Sequence, residues 1–213
     1  MIKLTPSLLA ADLMHLGREI EKMMENGIDQ LHFDVMDAHF VPNLSFGPAF
    51  CQAIHKHFPT LKIDVHLMMD NPEAYLDVFA KSGASSITVH REVLSDPAAM
   101  IEAIRARGVT CGFSIKPETD VNTLLPWLDQ LDHILIMTVE PGFGGQAFMP
   151  EEVEKIKALR SAGFRGDIAV DGGVGLQNLE LLIGAGANWL VMGTAYFCAE
   201  DPKLVAMKVK EYA

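Results

Sequence analysis

At 213 residues the chain can bury a sizeable core, and its length is ordinary for one α/β barrel domain. Its composition, 49% hydrophobic and 21% charged, describes a globular chain that is neither disordered nor membrane-embedded, and no apolar run approaches the roughly 18 residues of a membrane span. A net charge of −11 argues against nucleic acid as a partner, so the charge of any anionic ligand has to be met locally.

The start, Met1 to Pro6, has no signal-peptide pattern, and the chain reads as cytoplasmic. The first strand-like segment covers 4–9, followed by a helical pattern from Leu13 to Asn26 closed by Gly27. Further strand-like segments fall at 29–36, 61–67, 85–90, 109–115, 133–139, 167–171 and 188–192. Helical patterns from Pro72 to Ser82 and from Pro97 to Arg107 end at Gly83 and Gly108, where glycine supplies the left-handed residue that closes a helix. Eight alternations of near-continuously apolar strands with helices predict a parallel sheet covered by helices. Eight is also the number that closes a (β/α)8 TIM barrel, with a doubly wound open sheet as the competing topology. Residues 1–213 read as one domain. Cys51, Cys111 and Cys198 are widely spaced, form no CxxC pair, and are expected as buried small hydrophobes.

The chemistry concentrates at strand ends. In His32-Phe33-Asp34-Val35-Met36 the alternation of a strand puts His32, Asp34 and Met36 on one face and Phe33 and Val35 on the other. Asp64, His66 and Met68 share a face in the next strand. In a barrel, the C-terminal ends of strands two, three and seven bring His32, Asp34, His66 and Asp171 to one rim. Two imidazoles and two carboxylates suit one borderline divalent ion, such as Zn, Fe, Mn or Co. A metal there could stabilise an enediolate while one carboxylate removes a proton from one face and the other returns it to the opposite face.

Loops 37–48 and 140–150 follow strands directly and are expected on the active face. Three glycine clusters also follow late strands: Gly142-Phe143-Gly144-Gly145, Gly172-Gly173 and Gly193-Thr194, the last opening a short helix to Phe197. They could bring backbone N–H groups close to a phosphate. Met36, Met68 and Met137 recur near the same strand ends. His39, His90 and Lys116 are expected near the rim as supporting or surface groups. His15, His55, His57 and His133 need no role beyond surface or packing.

The runs Pro6 to Asp12, His32 to Asn43, Asp64 to Met68, Met137 to Phe148 and Val170 to Gly173 together resemble the ribulose-phosphate 3-epimerase family. The resemblance implies a metal-dependent epimerase of carbohydrate phosphates interconverting D-ribulose 5-phosphate and D-xylulose 5-phosphate. It implies His32, Asp34, His66 and Asp171 as metal ligands, with Asp34 as proton acceptor and Asp171 as proton donor in one direction. It further implies Ser7 and His66 as substrate contacts, and Gly142 to Gly145, Gly172, Gly173, Gly193 and Thr194 as the phosphate-binding backbone. A homo-oligomer is also expected from it. An allulose 6-phosphate 3-epimerase and a non-catalytic sugar-phosphate-binding barrel are the alternatives. Ala38 departs from the family's usual glycine, so its loop cannot rely on glycine's freedom.

Overall fold

The computed structural model describes residues 2–212. Eight parallel strands, β1 (Lys3–Pro6), β2 (Gln30–Met36), β3 (Lys62–Met68), β4 (Ala84–His90), β5 (Thr110–Ile115), β6 (His133–Met137), β7 (Asp167–Asp171) and β8 (Trp189–Met192), form one sheet in the order 1-8-7-6-5-4-3-2. A parallel bridge between Ser7 and His32 joins β1 to β2 and nearly closes the sheet into a barrel. The expected (β/α)8 class therefore holds.

The α-helices are α1 (Leu16–Glu25), α2 (Pro48–His57), α3 (Leu76–Lys81), α4 (Pro97–Arg105), α5 (Val153–Ser161), α6 (Leu179–Ala185), α7 (Thr194–Phe197) and α8 (Pro202–Lys210). Two devices start helices where the strands require them. Asp96 and Asp201 accept backbone N–H bonds from Ala99 and Leu204, and a proline follows each at the first helical position, where it removes no helical bond. At the other ends Gly27, Gly83 and Gly108 adopt the expected positive φ.

Three expectations need correction. The first strand stops at Pro6, because Leu8–Ala10 turns into a short 3-10 segment that carries the chain away from the rim. Between β5 and β6 the chain forms 3-10 turns, Val121–Thr123 and Leu125–Gln130; Pro126 lacks the N–H that a continuous α-helix would use. Cys51 and Cys111 are buried as expected, but Cys198 is exposed, at the end of the short α7.

Strand alternation sorts the core into two compartments. Phe33, Val35, Val65 and Leu67 pack outward against the helices in the main apolar cluster. Inside the barrel lie Leu135, Met137, Val139, Ala169, Trp189 and Val191, and near the top Met36, Met68 and Val41. Other inward positions are polar, and those toward the C-terminal ends of the strands make the site.

Ala38 sits at φ 61°, the one non-glycine at positive φ among the described residues. Asp37 imposes this bend: its carboxylate accepts the backbone N–H groups of His39 (2.8 Å), Phe40 (2.9 Å) and Asp70 (2.9 Å). The left-handed conformation costs an L-residue roughly 1–2 kcal/mol, partly offset by the larger unfolded-state entropy of glycine. Ala38→Gly is therefore expected to stabilise the fold by about 0.5–1 kcal/mol, raising Tm by roughly 1–4 °C in a calorimetric scan. A lower Tm would contradict the strain.

Candidate active site

β2 and β3 pair with His32 beside Asp64, Asp34 beside His66 and Met36 beside Met68. All six side chains point into the barrel, so an aligned parallel pair stacks an acid next to an imidazole in two successive layers. β7 contributes Asp171 from its C-terminal end. His32 Nε2 lies 3.1 Å from Asp34 Oδ1 and 3.7 Å from Asp171 Oδ2, and His66 Nδ1 lies 3.1 Å from the same Asp34 oxygen. The four candidate ligand atoms are all within 4.8 Å of one another.

The surroundings orient each group. Asp64 is buried, accepts the His32 Nδ1 proton at 2.7 Å, and is itself held by the Ser86 hydroxyl at 2.5 Å. His32 therefore turns the lone pair of Nε2 toward two carboxylate oxygens, and that nitrogen is buried without a well-aligned hydrogen bond. An acceptor facing acceptors in a dry site is unfavourable unless a proton or a cation lies among them. Ser7 donates to the second oxygen of Asp34 at 2.7 Å.

The charges follow. Burial works against a charged His32, but Asp34 and Asp64 outweigh it and raise its pKa well above the ordinary value. Burial likewise opposes ionisation of Asp34, yet His32 and His66 hold its carboxyl far below the usual range. Asp171 goes the other way: burial, and then the negative charge of Asp34, push it up to about 6. Two neighbouring carboxylates with pKa values driven apart are the pattern of a pair able to divide acid and base roles. Two imidazole nitrogens, one of them buried and orphaned, and two carboxylates fit a divalent cation.

A cavity of about 320 Å³ opens above this cluster. Asp34, Asp171 and Ser7 reach its wall, as do Gly142, Phe143, Gly144, Gly145, Gly172, Gly173, Gly193 and Thr194, all of them expected. Met36, Met68 and Met137 form part of its apolar floor. His66 is not among the residues lining the cavity and is fully buried behind Asp34. Loops 37–48 and 140–150 are tied together by Asn43 Nδ2 donating to the Gly142 carbonyl at 2.7 Å. Gly172 is required sterically, since a Cβ there would come within 2.6 Å of Val139 at φ 120°. Among the described residues lining the cavity there is no lysine or arginine, so backbone N–H groups are left to meet an anion.

Several residues were missed. Gln146 clamps its loop by donating to the carbonyls of Glu140 (2.6 Å) and Phe143 (2.8 Å), and both it and Gln177 line the cavity. Asp64 had a legible signal, its sharing a strand face with His66, but its partner is set by sheet register. His90, expected as a supporting or surface group, is fully buried with Nε2 at 2.9 Å from His66 Nε2. Burial lowers its pKa to about 4. Lys116 Nζ lies 4.0 Å above the Phe40 ring, which packs on His90.

The barrel, with polar side chains gathered at the C-terminal ends of its strands beneath a glycine-lined cavity, places the molecule among the (β/α)8 enzymes. The model for the ribulose-phosphate 3 epimerase family matches residues 3–197, and the chain belongs to that family. A rice (Oryza sativa subsp. japonica) protein named ribulose-phosphate 3-epimerase, cytoplasmic isoform, is 43% identical over 204 residues, covering 94% of this chain and 89% of its own. The Bacillus subtilis ribulose-phosphate 3-epimerase is 41% identical over 215 residues, covering 99% of both chains. In structure, 3-hexulose-6-phosphate synthase from Salmonella typhimurium superposes with a TM-score of 0.74 at 17% identity, covering 99% of this chain and 98% of that one. That likeness concerns the fold. No helix among the described residues is long and apolar enough to cross a membrane.

Proposed function

We propose that the chain interconverts D-ribulose 5-phosphate and D-xylulose 5-phosphate by moving the C3 proton between two carboxylates. The supporting observation is that Asp34 and Asp171 line one cavity while both approach the same ring nitrogen of His32. His32, Asp34, His66 and Asp171 would hold one divalent cation. When bound, that cation supplies Lewis-acid stabilisation of the negative charge developing on the ketone and hydroxyl oxygens.

The residues do the rest. Asp34, kept ionised and oriented by Ser7, removes the proton from one face of C3. Asp171, kept nearer its protonated form, delivers a proton to the other face, so the configuration inverts. Met36, Met68 and Met137 keep the reacting carbon against an apolar floor, which strengthens the electrostatic interactions around it. The glycine clusters direct backbone N–H groups at the phosphate, the geometry that lets a strongly acidic protein accept an anionic sugar.

The test pairs elemental analysis of the purified protein with a ribulose 5-phosphate assay. Chelation is expected to reduce turnover by at least about 10²-fold, as for loss of a principal electrostatic stabiliser, and added Zn²⁺, Mn²⁺, Fe²⁺ or Co²⁺ to restore it. Full activity after exhaustive chelation would overturn the metal role. Allulose 6-phosphate assayed alongside checks the sugar, and a higher kcat/KM for it would move the assignment to the hexulose phosphate.

A further inference from the structure

A histidine can bind a cation through Nδ1 only if its proton sits on Nε2. In His66, Nδ1 faces Asp34 and the cluster, while Nε2 meets another histidine, His90, at 2.9 Å. The ring centroids are 5.0 Å apart with planes 29° apart. Nitrogens so much closer than centroids mean that the rings meet edge to edge, as in an N–H···N hydrogen bond, rather than face to face. That bond can run either way. If His66 donates, its Nδ1 is free for a cation; if His90 donates, Nδ1 carries a proton and cannot ligate.

The choice is made one residue further out. His90 Nδ1 lies 3.2 Å from Glu92 Oε2. The other oxygen, Oε1, accepts the backbone N–H of Lys116 at 2.7 Å and the hydroxyl of Thr119. A carboxylate has no proton to give, so His90 has to donate from Nδ1, which leaves its Nε2 to accept from His66. We infer that Glu92, through His90, fixes a proton on Nε2 of His66, so that Nδ1, 3.1 Å from Asp34 Oδ1, is the nitrogen left to a cation. Glu92 and His90 are positioning residues; neither lines the cavity. His32 is fixed directly by Asp64, whereas His66 is fixed through a second imidazole, and the carboxylate ends both chains. The inference rests on the cation site proposed above.

Glu92→Gln tests the lock because it reverses it. The Lys116 N–H can only donate, so it keeps the amide oxygen at the Oε1 position and turns the new NH2 group toward His90 Nδ1. His90 then accepts there, donates from Nε2, and places the His66 proton on Nδ1. The full chain, freed of metal with a chelator, is titrated calorimetrically with Zn²⁺ alone, before and after the substitution. Affinity is expected to fall about 10–100-fold. In parallel, ¹⁵N spectra of the unmodified chain labelled at histidine should show His90 as the Nδ1–H tautomer and His66 protonated at Nε2, with the His90 proton moved to Nε2 by Glu92→Gln. The unmodified spectrum decides even if the variant fails to fold. A proton on Nε2 of His90 in the unmodified protein, or Glu92→Gln binding Zn²⁺ as tightly with unchanged tautomers, overturns the lock. An unmodified chain that binds no Zn²⁺ overturns the cation site itself, a distinct result.

Discussion

Asp34→Asn is expected to lower epimerase turnover by about 10³-fold or more while leaving the barrel folded. The carboxylate is asked to do two things at once: one oxygen lies 3.1 Å from both His32 Nε2 and His66 Nδ1, and the other accepts from Ser7 at 2.7 Å. An amide has nearly the same shape but takes up no proton at neutral pH. Loss of a general base alone is worth about 10²–10⁴-fold, and the loss of an anionic ligand adds to it. The fold survives because volume is conserved and the amide keeps an oxygen to accept from Ser7, although the pairing of the carboxylate with His32 and His66 is lost. Steady-state kinetics with a thermal melt would check both halves, and turnover within tenfold of the unmodified enzyme would defeat the assignment.

Asp171→Asn carries the second large effect, and its signature differs. Epimerisation is expected to fall by about 10²–10⁴-fold, yet Asp34 remains to exchange the C3 proton of one epimer with solvent. In D2O that epimer should gain deuterium at C3 faster than product forms, whereas the unmodified enzyme should yield product labelled at C3. NMR of the recovered sugar phosphate reads both. Product free of deuterium from the unmodified enzyme would defeat the scheme of two separate carboxylates, and so would a variant that loses exchange and turnover in equal measure.

Strand alternation explains why so much of this site was legible in the chain. Residues i and i+2 share a face whatever the sheet does, so His32 with Asp34 and Asp64 with His66 were paired before any coordinates, and the glycine runs marked turns. The helix missing between β5 and β6 was less visible, because residues 119–130 carry a periodic apolar pattern that Pro126 interrupts. Cys198 resisted for a related reason: burial at the end of a four-residue helix depends on what covers it, and nothing local says so. The bend at Ala38 lay beyond reach too, since three backbone N–H groups converging on Asp37 force a conformation that alanine does not choose.

By itself the amino-acid sequence determined the number of strands, the face each polar side chain takes, and the four side chains able to share a cation, because these depend on periodicity and residue chemistry within short segments. Only the tertiary structure decided which partner each imidazole meets: Asp64 for His32, and His90 then Glu92 for His66. Those pairings depend on the register between strands and on barrel closure, both set by long-range packing, and they leave His32 Nε2 and His66 Nδ1 facing Asp34.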